Sequence, residues 1–274
     1  MPCWNNRPID MNALAATPRP VRAPSRLLVL AEIRALWEAG ATVALWPLLK
    51  VAPRGDGHPV MVLPGLTSGD GSTLLLRRYL KGRGYDVHGW GQGRNFGPRA
   101  GVEDRMVEKL TALHAKEGRK VSLVGKSLGG AYARFLANRH PKLVRSVVTL
   151  GSPFKGSPRS THAWRVYEGL SGQSVDDPPR MKHVTRTPKV PTTSIFSRTD
   201  GIVAWRCSME TAGPTSENIE VMLGSHLGLD THPAVLYALA DRLAQPEGEW
   251  KPFQRGMLGP LLFPNPSRGI ATAA

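Results

Sequence analysis

Ser127, Asp200 and His226 bring together a hydroxyl, a carboxylate and an imidazole, the three groups from which an activated nucleophile is built. A serine hydroxyl attacks a carbonyl only once a base takes its proton, and an imidazole titrates close enough to neutrality to do so. A carboxylate on the second ring nitrogen then fixes the tautomer and stabilises the imidazolium. Ser127 stands in Val121-Ser122-Leu123-Val124-Gly125-Lys126-Ser127-Leu128-Gly129-Gly130, an apolar run that closes on Gly-x-Ser-x-Gly. Alone that pattern is weak, because with 29 glycines in 274 residues chance supplies roughly 0.2 matches. Its context strengthens it. The run before it reads as a strand, and Ala131 to Arg139 has helical spacing that stops before Pro141. Strand, sharp turn and helix are what present a serine to solvent, and they demand side-chain-free positions at Gly125 and Gly129. The alternative is a glycine-rich turn with an incidental serine.

These residues need elements to hold them. His58 to Leu63 reads as a buried strand, Thr73 to Lys81 as a helix and Tyr85 to Gly89 as a strand. A helix over Val102 to Lys116 precedes the serine strand, and a strand over Val144 to Leu150 follows its helix. Pro191 to Phe196 and Asn218 to Leu223 read as further strands, with a closing helix over Pro233 to Leu243. Alternating strands and helices predict an α/β fold, a mostly parallel sheet with helices on both faces and its chemistry at the strands' carboxyl ends. Ser127, Asp200 and His226 each fall just after such a strand, in the order serine, acid, histidine. Taken singly, Asp200 could cap the turn before Gly201 and His226 could be a structural core residue; Asp230 and Glu220 are the substitute acids.

Attack on a carbonyl develops an oxyanion that must find donors. Leu63-Pro64-Gly65-Leu66-Thr67 follows the first buried strand, so the backbone N–H groups of Leu66 and Leu128 are the proposed pair, with an ordinary Pro-Gly turn as the competing reading.

The balance of 36 Lys and Arg against 21 Asp and Glu gives a formal charge of +15. No basic helix with zinc-ligand spacing, aromatic RNA-binding signature or lysine run accompanies it, so nucleic acid is not an expected partner. The denser basic stretch from Gly151 to Val190 suits solubility first and an anionic surface second. Cys3 and Cys207 lack metal or redox spacing and are expected to be free thiols. The opening Met1 to Asn6 has neither the basic flank nor the apolar core of a secretory signal. A cytoplasmic protein is expected, with weak membrane-surface association as a further expectation. Ser25 to Ala39 reads as an amphipathic helix, capped by Ser25, ended by Gly40 and packed on its own domain. Glu32, Arg34, Glu38, Lys50 and Pro47 argue against a full bilayer crossing by the apolar stretch from Leu27 to Leu49.

Pro64-Gly65-Leu66, Gly125 to Gly130, Arg198-Thr199-Asp200-Gly201-Ile202-Val203 and Ser225-His226 together resemble the α/β-hydrolase superfamily, within it the bacterial lipase and esterase branch. Leu150-Gly151-Ser152-Pro153-Phe154-Lys155-Gly156-Ser157 looks like the lipase segment after the strand that follows the elbow. The likeness covers roughly residues 58 to 243 and implies a nucleophile at Ser127, a base at His226, an orienting acid at Asp200 and donors at Leu66 and Leu128. It implies no cofactor and no metal. The family often carries histidine where this chain has Lys126 and Phe154, which leaves subfamily and substrate open; Lys126 is expected to be solvated.

The resemblance places a cap or lid at 152–190, where Trp164, Val166, Tyr167 and Leu170 would form the apolar face of a helix broken by Asp176 to Pro179. Phe154, Trp164 and Tyr167 are the candidate pocket residues. The expected organisation is an N-terminal segment (1–57), a catalytic domain (58–245) and a tail without regular pattern (246–274). The expected activity is hydrolysis of small-molecule or lipid carboxylic esters. Acyl transfer, thioester or peptide cleavage, and a non-catalytic binding role on the same fold are the alternatives.

Overall fold

In β1 (Pro59–Leu63) every residue is buried, and alternate side chains enter different cores. Val60 and Val62 join one cluster, Met61 and Leu63 another, as the two-residue period of a strand covered on both faces requires. The computed structural model describes residues 21–176, 183–256 and 259–270. After β1 come β2 (Asp86–His88), β3 (Val121–Lys126), β4 (Val144–Leu150), β5 (Thr192–Phe196) and β6 (Ser216–Glu220). They form one sheet in the order β2-β1-β3-β4-β5-β6, parallel throughout. Because the chain leaves β1 towards β2 and then returns to β3 on its other side, the order reverses at β1 and β3. A crevice opens at the carboxyl ends of those strands.

The helices in chain order are α1 (Arg26–Leu30), α2 (Ala35–Ala44), α3 (Trp46–Leu49), α4 (Leu74–Gly82), α5 (Val102–Glu117), α6 (Leu128–Arg139), α7 (Trp164–Ser171), α8 (Pro233–Leu243) and α9 (Gly259–Leu262). Leu76 and Leu80 of α4 share a core with Val235 and Leu239 of α8; Met106 and Leu110 of α5 share the other with Tyr132 and Leu136 of α6. This is the α/β-hydrolase fold, helices on both faces of a parallel sheet.

Three expectations need correction. The helix capped by Ser25 does not end at Gly40: a 3-10 turn over Ala31–Arg34 links α1 to α2, which runs on to Ala44. Gly40 sits on the outer side with no neighbour within 4 Å, so only its modest propensity cost opposes the helix. This segment meets the protein through its polar side. Its polar side chains face the protein and its apolar ones face outward, because the loops after β5 and β6 present backbone N–H and C=O groups that Glu32, Arg34 and Glu38 satisfy. The last strand is Ser216–Glu220 rather than 218–223, since its partner β5 ends at Phe196; Leu223 turns away with φ 55°. The tail is not wholly irregular: α9 forms, and Phe263 is buried against Tyr237 and Phe253.

Candidate active site

Ser127 follows β3 with φ 51° and ψ −121°, a backbone that only a constrained turn holds in a non-glycine residue. Its N–H donates to Leu150 O of β4 at 2.8 Å, and its side chain caps no N–H of α6, so the hydroxyl is not spent on the helix it begins. The glycines around it are steric necessities. A Cβ on Gly125 would lie 2.2 Å from Gly129 O, one on Gly129 2.1 Å from Leu63 O, and one on Gly130 1.9 Å from Ser152 Oγ.

Asp200, in the loop after β5, accepts from Ile202 N (2.9 Å) and Val203 N (2.7 Å) on one oxygen and from His226 Nδ1 (2.7 Å) on the other. Both residues are buried. The bond assigns the Nδ1–H tautomer to His226 and leaves Nε2 as the free acceptor. The pair lies over the end of β4: a Cβ on Gly151 would sit 3.1 Å from Asp200 Oδ2 and 3.3 Å from His226 Nδ1. Gly151 directly follows Leu150, whose carbonyl holds the Ser127 N–H. The Asp200 carboxylate and the His226 imidazole are thus joined by a hydrogen bond at the carboxyl end of β4, beside the Ser127 elbow.

Gly65 brings the loop after β1 against the elbow, where its Cβ would be 3.3 Å from Ser127 Cβ. Leu128, first residue of α6, has no intrahelical acceptor for its N–H. The N–H groups of Thr67 and Ser68 are taken by Asn95 O and Gly65 O, and that of Leu66 enters no backbone hydrogen bond among the described residues. Asn95 holds this loop from beneath. Its side chain donates to Pro64 O (2.9 Å) and accepts from Gly97 N and Tyr132 Oη (3.1 Å each), and its own N–H donates to Ser68 O. Burial pushes the Tyr132 phenol well above its ordinary value, which keeps it a donor.

A cavity of about 340 Å³ opens beside the elbow, lined by Leu66, Ser127, Leu128, Phe154, Trp164 and Tyr167 among others. All three expected pocket residues therefore border it. Phe154 is held by the Arg134 guanidinium, 3.8 Å from its ring centre, and Arg134 in turn pairs with Glu210 in full burial. The helix α7 ends at Ser171, capped by Gly172 with φ 69°, rather than further on, and Val166 is exposed, since eight residues turn only part of their surface to the cavity. Asp177 to Pro179 lie outside the described residues, as does Cys3. Cys207 is a buried free thiol that burial pushes up, away from the thiolate a nucleophile needs. Among the described residues no three His, Cys, Asp or Glu side chains group as a metal ion would require.

The roles of Lys126, Glu32, Glu38 and Asn95 escaped sequence reasoning. Lys126 is not solvated: it pairs with buried Asp230 and donates to Leu227 O at 2.6 Å, because an acid and a carbonyl of the histidine loop face the elbow. Glu220 is engaged by Arg198 and Arg268 and Asp230 by Lys126, while Asp200 is the acid that meets His226. Glu32 accepts from Gly201 N (2.7 Å), His226 N (3.0 Å) and Leu227 N (2.8 Å), clamping the acid and histidine loops together. Glu38 does likewise for Ser225 N and Oγ. Gly201 and Gly228 let this strap lie flat, since Cβ atoms there would fall 2.3 Å from Leu28 O and 2.1 Å from Glu38 Oε2. Helical periodicity gave no clear signal for this clamp, since six positions at 3.6 residues per turn leave the two acids about 120° apart. Asn95, in a glycine-rich loop, left none.

A family model of the α/β-hydrolase fold matches residues 85–177, from the end of α4 to just past α7. That match covers about a third of the chain and agrees with the fold described above. Among curated relatives, this hydrolase-fold chain is 30% identical over 130 residues to a triacylglycerol lipase of Burkholderia plantarii, covering 43% of the chain and 36% of the relative. It is 33% identical over 106 residues to a 2-hydroxymuconate semialdehyde hydrolase of a Pseudomonas species, covering 36% and 38%. The matched part thus spans little more than a third of either relative. Among solved structures, lipase B of Aspergillus fumigatus aligns with TM-score 0.57 at 17% identity, over 74% of this chain and 58% of that one. At that identity the likeness speaks for the hydrolase fold.

Proposed function

We propose that this chain is a serine hydrolase that cleaves carboxylic esters, lipophilic ones above all, through an acyl-enzyme intermediate. The observation that carries the reading is the 2.7 Å hydrogen bond between Asp200 and His226, seated over Gly151 next to the Ser127 elbow. With Nδ1–H committed to Asp200, Nε2 of His226 takes the Ser127 proton as Oγ bonds to the ester carbonyl carbon. The N–H groups of Leu66 and Leu128 hold the oxyanion. The proton then passes from Nε2 to the departing alcohol, leaving an ester on Ser127. Water gives a proton to Nε2, attacks that ester, and the acid departs as Ser127 recovers its proton.

An apolar cavity walled by Phe154, Trp164 and Tyr167 favours an acyl chain over a charged group. The triacylglycerol lipase name of the Burkholderia relative supports an ester substrate. In this reading 58–245 is the catalytic unit, 152–190 its cap, 1–57 the N-terminal segment and 246–274 the tail. A lipophilic ester is concentrated at bilayers, so weak attachment of a cytoplasmic protein to a membrane surface belongs with it.

The test is labelling by a fluorophosphonate probe together with turnover of chromogenic esters of increasing acyl length. Ser127→Ala is expected to abolish both with the fold intact, and Asp200→Asn to lower kcat by about 10⁴-fold by releasing the tautomer. Unchanged labelling in Ser127→Ala would remove the reading. Product analysis with an added alcohol separates hydrolysis from acyl transfer.

A further inference from the structure

The strap of α1 to α3 turns its apolar side to solvent. Leu27, Leu30, Ile33, Leu36 and Trp37 are 73–82% exposed, and Val43, Leu48 and Val51 continue the face at 63–77%. Leu223 and Leu227 are exposed beside it in the histidine loop, their backbones bonded to Arg34 and Glu32. Single exposed leucines are ordinary, but a contiguous face of this extent marks an interaction surface. Its charges are one-sided. Between residues 22 and 54 both acids, Glu32 and Glu38, are buried, while Arg22 and Arg26 at one end and Lys50 and Arg54 at the other are exposed.

We propose that this face docks the protein on an anionic lipid surface, with the strap lying in the plane of the headgroups. The charge pattern selects that occupant. Phosphate headgroups meet the basic residues at both ends while Leu30, Ile33, Trp37 and their neighbours enter the acyl boundary. A second copy of the chain would instead set the same four cations against each other in a molecule of net charge +15, with no exposed acid between them to pair with. The strap lies on the bilayer and does not cross it. Glu32, Arg34, Glu38 and Thr42 bind its inner side to the protein, and no helix among the described residues is long and apolar enough to span. Such docking gives a face to the surface association proposed above, and rests on that reading without requiring Ser127 to be the nucleophile.

Sedimentation of the full chain with vesicles of phosphatidylcholine alone and of phosphatidylcholine mixed equally with phosphatidylglycerol tests it. Binding is expected on the anionic vesicles only, weakening as salt is raised. The exposed-face variant Leu30→Asn/Ile33→Asn/Trp37→Asn should lose at least about 10-fold in affinity. The variant Arg22→Gln/Arg26→Gln/Lys50→Gln/Arg54→Gln should lose on the order of 1000-fold. Both should keep the parent circular dichroism and the parent turnover of a short soluble ester. Ser127→Ala should bind as the parent does, so vesicle binding without hydrolysis would sink the enzymatic reading alone. Absence of binding, equal binding to both vesicle types, or self-association in vesicle-free buffer that the exposed-face variant abolishes would overturn the docking proposal.

Discussion

The Lys126 ammonium donates to the backbone carbonyl of Leu227 at 2.6 Å, so the residue before the candidate nucleophile is tied to the residue after the candidate base. The same ammonium pairs with Asp230, whose second oxygen is buried without a partner among the described residues. Relative placement of Ser127 and His226 therefore depends on a cation lying outside the candidate triad. Positioning of this kind is worth a great deal, since a 1 Å displacement can cost on the order of 100-fold in rate.

Lys126→Met is expected to lower kcat by about 10- to 100-fold with KM little changed, because the histidine loop is untied while the cavity is not touched. It should also destabilise by about 3–5 kcal/mol by stranding Asp230. Lys126→Met/Asp230→Asn should recover most of that stability in urea unfolding and none of the rate. Recovery of both would make Lys126 a merely structural residue.

Glu32→Gln replaces an acceptor of three N–H groups with one that turns a donor towards them. Loss of about 2 kcal/mol is expected from the unsatisfied amides of the acid and histidine loops. The rate of fluorophosphonate labelling should fall by about 10-fold as those loops loosen. Thermal unfolding and labelling kinetics measured on the same sample check the two effects separately.

Asn95 touches no reacting atom in the proposed mechanism, yet it holds Pro64 O and thereby the loop bearing the Leu66 N–H. Asn95→Ala should reduce kcat by about 100-fold, the scale of a lost oxyanion donor, with substrate KM nearly constant. Asn95→Asp keeps the acceptor for Tyr132 and Gly97 but loses the donor to Pro64, and should fall between the two. An equal rise in KM across an acyl series would instead place Asn95 in binding.

Stability should decline as pH falls from about 6.5 to 4. Burial lowers His58 to about 4, where it lies between Asp56 and Ser122, and lowers His232 to about 4, where it caps α8 as a neutral acceptor for Ala234 N. In both the folded value lies below the unfolded one. The unfolded chain then binds more protons throughout that window, and stability present above pH 6.5 is lost towards pH 4. The slope is at most about 1.4 kcal/mol per pH unit for each histidine. Urea unfolding across this range measures it, and His58→Gln/His232→Gln should flatten it.

Much of this molecule is legible along the chain because the signals are local. Apolar runs of β-branched residues mark β1, β3 and β4, Pro233 to Leu243 is bounded as observed, and the glycines around Ser127 announce a close approach before any neighbour is known. The order serine, acid, histidine, each after a strand, follows from a parallel sheet whose carboxyl ends share one rim.

What tertiary structure alone decided is which way surfaces face and which polar groups need partners. Helical periodicity shows that residues 26 to 49 have two unlike sides but carries no sign for which side is inside. The sign came from the unpaired N–H and C=O groups of the loops after β5 and β6, which draw in Glu32, Arg34 and Glu38 and leave Leu27, Ile33 and Trp37 in solvent. In the same way Lys126 is bound only because Asp230 and Leu227, a hundred residues on, face it across the crevice. A residue's chemistry is local, whereas the partner that satisfies it in burial is chosen by the fold.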